Sequence, residues 1–184
     1  MNFNRTGSDV NSKSNVSRLG QTLLQLIYRY PGVRYRELLR MTHSSNGVLS
    51  YRLTQLERSQ DINVNRNQRV TRYYLPDISL EVSKIIGHTK NPISRSILSL
   101  LVKNGPTLAS EISTVTKRAP STISWYLHRL VDAGIIRNGT FTSRTNHRYY
   151  DVVDKTLIQE VLSRYAERLV DKVVGNYLQI MDEL

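Results

Sequence analysis

A gapless internal repeat limits what this 184-residue chain can fold into more than any other feature. Gln21 to Ile62 matches Arg95 to Ile136 at a constant offset of 74. Eight of the 42 pairs are identical: Leu24/Leu98, Leu26/Leu100, Glu37/Glu111, Thr42/Thr116, Ser50/Ser124, Leu53/Leu127, Leu56/Leu130 and Ile62/Ile136. Most others exchange like for like, as in Leu49/Ile123, Met41/Val115 and Tyr51/Trp125. Further on, Arg72-Tyr73-Tyr74 matches Arg148-Tyr149-Tyr150 at an offset of 76, so the segment before the tripeptide is two residues longer in the second copy. A repeat at fixed spacing implies one structural unit made twice. Each unit is small, near the lower size at which a single core stabilises a domain, so the two are expected to pack on each other or on added helices.

Within each copy the hydrophobic period is first helical. Leu23, Leu24, Leu26 and Ile27, like Ile97, Leu98, Leu100 and Leu101, form a buried helical stripe that stops at Pro31-Gly32 and Gly105-Pro106. A short second helix follows, Tyr35 to Met41 and Ala109 to Val115, then a polar turn, Thr42-His43-Ser44 and Thr116-Lys117-Arg118. Leu49, Leu53 and Leu56, and likewise Ile123, Leu127 and Leu130, mark a third helix at i, i+4 and i+7. Ser45 suits its N-cap in the first copy; in the second, Ala119 is a poor cap and Pro120 fits the first helical position. The period then drops to two. Ile62, Val64, Val70 and Tyr73 flank the tip Arg66-Asn67-Gln68-Arg69, and Ile135-Ile136 and Tyr149-Tyr150 flank a longer loop through Asn138-Gly139 and Ser143 to Asn146. Helix, turn and helix followed by a basic hairpin predicts a winged helix, twice. The expected class is mainly α with small β-hairpin wings (α+β): two winged-helix domains in tandem, 17–76 and 93–152, joined by a helical linker at 77–92. A disordered tail over 1–16 precedes them and a long C-terminal helix over 153–184 follows.

Charge points to the partner. Residues 17–78 hold ten Lys and Arg against four acids, and 90–150 hold nine against two, whereas 151–184 hold four against seven. Two basic units suit a polyanion, and nucleic acid is the commonest; a basic solvated surface is the plain alternative. With no cysteine, disulfides and thiolate metal sites are excluded. His43, His88, His128 and His147 fall in no metal-ligand spacing, so no metal or other cofactor is assigned. No phosphate loop or nucleophile motif is present, which argues against an enzyme. No run is apolar enough for a membrane span and the N-terminus lacks a signal-peptide core, so a cytoplasmic, nucleoid-associated protein is expected.

The stretch Ser121-Thr122-Ile123-Ser124-Trp125-Tyr126-Leu127-His128-Arg129-Leu130-Val131-Asp132-Ala133-Gly134-Ile135-Ile136 resembles the recognition-helix and first-strand signature of ArsR/MarR-like winged-helix regulators, above all archaeal tandem ones. Ser50-Tyr51-Arg52-Leu53-Thr54-Gln55-Leu56-Glu57 is a weaker version, followed by Ser59-Gln60 in place of Ala-Gly. The resemblance covers about 18–150 and implies double-stranded DNA binding through the third helix and wing, usually as a dimer. ArsR-type metal sensors often ligate through cysteine, and this chain has none.

At 100° per residue, the face opposite the leucine stripe presents Gly47, Tyr51, Thr54 and Arg58 in the first copy, with Ser44 and Gln55 beside it. In the second it presents Ser121, Trp125, His128 and Asp132, with Arg118 and Arg129 beside it. A recognition helix enters the major groove by its N-terminal part. The candidate DNA-binding residues are therefore Ser44, Ser45, Asn46, Gly47, Tyr51 and Gln55, and Arg118, Ser121, Thr122, Trp125, His128 and Arg129. Tyr51 and Trp125 have two readings, groove contact or packing on another helix or a partner. Wing residues Arg66, Arg69, Arg144 and His147 suit phosphate or the minor groove, or else a solvated tip. Arg34 and Arg36, with Arg40, suit backbone clamping, while Arg72 and Arg148 pair with Glu37 and Glu111 or reach DNA.

Beyond Lys155, Val161, Tyr165, Leu169, Val173, Tyr177 and Ile180 recur at helical spacing. They form either a dimerisation stripe joining two copies or a helix folded back over the first unit. Three functions fit these observations. One is a sequence-specific transcription regulator, acting as a homodimer and engaging the transcription machinery. The second is an architectural protein that coats or bridges DNA, and the third is a winged-helix scaffold in a transcription or replication complex.

Overall fold

A computed structural model describes residues 17–67, 70–140 and 148–165. The chain opens with α1 (Arg18–Arg29), β1 (Val33–Arg34), α2 (Tyr35–Thr42), α3 (Asn46–Arg58), β2 (Asn63–Asn67) and β3 (Val70–Tyr74). A connecting helix α4 (Leu80–Thr89) follows. The same succession then recurs as α5 (Pro92–Asn104), β4 (Thr107–Leu108), α6 (Ala109–Thr116), α7 (Pro120–Asp132), β5 (Ile136–Thr140) and β6 (Arg148–Val152). A final helix, α8, covers 155–165. The architecture is mainly helical with two small antiparallel sheets, ordered β1-β3-β2 and β4-β6-β5.

Several identities of the repeat now have physical causes. Glu37 accepts the Arg34 backbone N–H at 2.9 Å and Glu111 that of Leu108 at 3.2 Å, each satisfying a free donor at the start of α2 or α6. Thr42 Oγ1 donates to the Leu38 carbonyl at 2.8 Å and Thr116 Oγ1 to that of Ile112 at 2.6 Å, tying off the last turn of the same helices. The chain then reverses through a left-handed residue, His43 at φ 50° or Lys117 at φ 52°. After α3 and α7 a second left-handed position is filled by Gln60 at φ 61° and Gly134 at φ 70°, which are partners in the repeat. Leu49, Leu53 and Leu56 are buried with Leu23, Ile27 and Leu38, and Ile123, Leu127 and Leu130 with Ile97, Leu101 and Ile112.

Four details depart from the expectation. Each sheet has a third strand, β1 or β4, only two residues long and too short to leave a period in the sequence. Asn138-Gly139, expected in the loop, belong to β5; Gly139 lies under the Tyr149 ring, where a Cβ would come within 2.5 Å of its atoms. Asn91 and Pro92, the last residues of the expected linker 77–92, instead begin the next helix: Asn91 Oδ1 accepts the N–H groups of Ile93 and Ser94 at 2.9 and 3.2 Å. The matching tripeptides are not equivalent in space. Val33 faces Tyr73, but its repeat partner Thr107 faces Tyr150, so the structural offset is 77 rather than 76.

That one-residue slip decides where Tyr74 goes, because successive strand residues face opposite sides of a sheet. Tyr73 is buried in the core of the first half, whereas Tyr74 is buried in the core of the second, with Ile78, Ile85 and Ile86. The Tyr74 hydroxyl donates to the Ser83 carbonyl of α4 at 2.9 Å, and burial pushes its pKa up to about 12. Arg72 donates to the Gly32 carbonyl at 2.8 Å, and burial lowers its pKa. The connection is therefore packed. At the far end, Ile158, Val161 and Tyr165 of α8 are buried in the same second core. Val161 and Tyr165, expected to face another copy, are instead spent within the chain because α8 lies against its own half; Leu169, Val173, Tyr177 and Ile180 lie outside the described residues.

Candidate nucleic-acid interface

The exposed faces of α3 and α7 follow from their leucine and isoleucine stripes. With Leu49, Leu53 and Leu56 buried, Ser45, Asn46, Gly47, Tyr51 and Gln55 are exposed and Ser44 is half-buried. On α7 and the turn before it, Arg118, Ser121, Trp125, His128 and Arg129 are exposed and Thr122 is half-buried. Each half thus brings its helix candidates onto one surface.

Hydrogen bonds fix how each helix starts. In the first half, Tyr35 Oη of α2 donates to the Asn46 carbonyl at 2.9 Å, setting the entry angle of α3. Ser45 occupies the N-cap position, yet its side chain makes no capping bond, so its hydroxyl is not used there. In the second half, Ser113 Oγ donates to the Arg118 carbonyl at 2.6 Å, bracing the turn while the Arg118 guanidinium extends from an exposed residue.

The two aromatic residues point outward. Tyr51 is 59% and Trp125 50% exposed, so neither is buried against another helix among the described residues. Both are held by the residue four positions on. Gln55 Nε2 donates to Tyr51 Oη at 2.6 Å, and the Arg129 guanidinium carbon stands 4.6 Å from the Trp125 ring centroid. Spacing of i, i+4 puts such pairs on one face, and the cation–π contact adds on the order of 0.5–1 kcal/mol at an exposed site. Arg52 extends the first cluster, donating to Gln55 Oε1 at 2.8 Å. Gln55 and Arg129 each contact an aromatic ring on the same exposed face.

The first wing carries a carboxylate clamp. Arg66 on β2 makes a two-pronged ion pair with Glu57 on α3, and the hydrogen bond from Arg66 lowers the Glu57 pKa. Arg66 is thus not simply a solvated tip residue. Glu57 is replaced by Val131 in the second copy, and there Arg137 pairs with Asp151 at 3.1 Å across the strands. Arg69, Arg144 and His147 lie outside the described residues. Arg34 and Arg36 are exposed near the start of α2, Arg40 is exposed near its end, and Arg148 is exposed on β6. Arg72 is withdrawn from the surface by its bond to Gly32.

One pair escaped the sequence reading. Ser50 and Ser124 are the only identical pair of the repeat in which both residues are exposed, and neither hydroxyl has a partner among the described residues. Leu24, Leu26, Glu37, Thr42, Leu53, Leu56 and Ile62 and their partners have structural tasks. The serines lie beside Gly47 and Ser121 on the same side of each helix, and the repeat identity itself was the available signal. Among the described residues no cluster of three His, Asp or Glu could hold a metal, and no helix is long and apolar enough to cross a membrane.

Comparison with solved structures returns matches at low identity. A homodimeric winged helix-turn-helix DNA-binding domain from Mycobacterium bovis, a possible ArsR-family transcriptional regulator, is 21% identical over 54% of this chain and 82% of its own, with a TM-score of 0.39. A transcriptional regulator homologue from Pyrococcus horikoshii OT3 is 17% identical over 53% and 97%, with a TM-score of 0.40. The YusO protein from Bacillus subtilis is 19% identical over 74% and 85%, with a TM-score of 0.39. No curated protein matches the sequence significantly. The model of the winged helix-turn-helix DNA-binding family matches residues 90–137, the stretch from the end of α4 through α7 to the start of β5.

Proposed function

We propose that this protein is a sequence-specific double-stranded DNA-binding transcription regulator with two winged-helix domains in tandem, acting as a homodimer in the cytoplasm. The observation that carries the reading is the family match over 90–137 together with the exposed, brace-held N-terminal face of α7 that it contains. On this reading α3 and α7 enter the major groove. Gly47 and Ser121 allow close approach, and Arg118 can form the two-pronged contact that guanine favours. Trp125 offers an indole N–H and apolar surface at the groove floor, and Tyr51 a hydroxyl. Ser50 and Ser124 reach base edges or phosphates. Arg34 and Arg36 clamp the backbone, and Arg66, Arg69, Arg144 and His147 follow phosphates or the minor groove.

The competing reading is an architectural protein that coats DNA without sequence preference, favoured by two basic halves in one chain. Selection of bound sites from random duplexes separates them. A regulator enriches a defined site, and Arg118→Ala relaxes preference at one position at a cost of about 1–3 kcal/mol. Uniform recovery of all sequences, with Arg118→Ala weakening all equally, would refute specificity.

A further inference from the structure

We propose that the two halves read chemically different DNA: α3 takes an A·T-rich segment, with Val48 against a thymine methyl, and α7 takes a segment that bears guanine. This rests on the DNA-binding reading above. Two differences between the halves carry it. The first is an exchange of cations. Arg34, Arg36 and Arg40, at the start of α2 or on it, have Leu108, Ser110 and Thr114 as repeat partners, so α6 carries no Lys or Arg. In the turn that follows, the order is reversed: His43-Ser44 stands where the second half has Lys117-Arg118. All five of these Lys and Arg residues are exposed.

The second is the surface at the start of each helix. Ser44, in the place of Arg118, is half-buried and donates its hydroxyl to the Thr42 carbonyl at 3.4 Å. Val48, in the place of the half-buried Thr122, is 51% exposed in the first turn of α3. Tyr51 follows three residues later on the neighbouring turn. A Cβ at Gly47 would meet nothing within 4 Å, and its φ is not positive, so neither packing among the described residues nor backbone conformation calls for glycine there. Close approach to another surface is the use that remains. The start of α3 is thus smooth, uncharged and partly apolar, whereas the start of α7 is approached by a guanidinium.

These surfaces suit different base pairs. The major-groove edge of an A·T pair carries the thymine methyl, and an apolar side chain is the group that meets it favourably. Val48 supplies that group. Asn46, exposed with its carbonyl held by Tyr35 Oη, offers an amide to adenine. Tyr51 Oη accepts from Gln55 and keeps its own hydrogen to give to thymine O4 or adenine N7. Guanine instead presents N7 and O6, which one guanidinium spans, and Arg118 stands at the helix start only in the second half. The first half carries its arginines on the flanking helix, where they serve phosphates, and phosphate contacts hold position without reading sequence. Both halves are basic, but the first uses its charge on the backbone and the second on a base edge.

The test uses the full-length chain and altered bases. Bound sites are selected from random duplexes, and the selected site is remade with deoxyuridine for thymidine, which removes the methyl, or with 7-deazaguanine for guanine, which removes N7. The expected site has an A·T-rich block and a guanine-bearing block. Deoxyuridine in the first block should weaken wild-type binding about fourfold, the worth of one buried methyl. In the second block, 7-deazaguanine should weaken it about fivefold, as one arm of a two-pronged contact is lost. Val48→Ser should abolish the response to deoxyuridine and keep the response to 7-deazaguanine. Arg118→Ala should do the reverse, so each variant carries its own check that the other half is intact. Blocks of the same composition, a wild-type protein indifferent to deoxyuridine, or a methyl response that survives Val48→Ser would each overturn the division while leaving sequence-specific binding in place. Uniform recovery of all sequences, or no binding at all, refutes the DNA-reading function itself and the division with it.

Discussion

Replacing Gln60 by glycine should stabilise the first half, and replacing Gly134 by glutamine should destabilise the second. The two residues hold the same place after α3 and α7, at φ 61° and 70°, in the left-handed region that a Cβ disfavours. A non-glycine residue there costs about 1–2 kcal/mol. Glycine relieves that strain but gives back about 0.4–1 kcal/mol through the greater freedom of the unfolded chain. The net expectation is a gain of about 0.5–1 kcal/mol for Gln60→Gly and a loss of similar size for Gly134→Gln, taking the difference of those two terms. The structure makes the comparison clean, since a Cβ at Gly134 would meet nothing within 4 Å. For Gly134→Gln the backbone term therefore dominates, while Gln60→Gly also removes a side chain that lines an open groove with Leu24 and Tyr28. Urea unfolding of each variant measures it: the midpoint should move up for one and down for the other, with the slope unchanged. Shifts of the same sign, or a loss on Gln60→Gly, would refute the argument.

Other expectations follow from single contacts. Glu57→Gln should release Arg66; on the DNA-binding reading, affinity rises and the logarithmic salt slope steepens by about one, while an unchanged slope means Arg66 does not reach phosphate. Tyr74→Phe removes the buried hydroxyl bond to Ser83 and should cost about 1 kcal/mol in thermal or urea unfolding; no loss would mean the bond contributes nothing net. His88 is half-buried, and burial first, then the charges of Arg129 and Arg72, lowers its pKa below the usual 6.5. The unfolded chain therefore binds that proton more readily, so stability is full above pH 6.5 and falls as pH drops from there towards the lowered folded value. His88→Gln should flatten this dependence, and an unchanged pH profile would exclude His88 as its source.

The helices could be read from the sequence because their cores repeat every three to four residues and the two copies confirm each other. Leu53/Leu127 and Leu56/Leu130 are buried in both halves, and the exposed helix faces then follow by geometry alone. What could not be read depends on contacts distant in sequence. β1 and β4 have two residues each and acquire a strand's identity only from β3 and β6. The tripeptide match suggested equivalence, but pairing across the sheet sets register, and the longer second wing shifts it by one. Arg66 looked like a free cation until Glu57, nine residues earlier, was brought beside it. Asn91-Pro92 carried both a stop and a start signal; the asparagine's two hydrogen bonds to following N–H groups select the start.

The reach of Tyr74 into the second core has a practical consequence for dissecting this protein. A fragment cut at the linker boundary expected from the sequence, after residue 76, would carry an apolar ring stripped of its surroundings, and one extended through α4 would carry Ile85 and Ile86 bare instead. The second half, expressed without residues 74–86, would start with a hole where four side chains belong. Neither piece is a faithful miniature of the whole, and insolubility of such fragments reports where the cut was made.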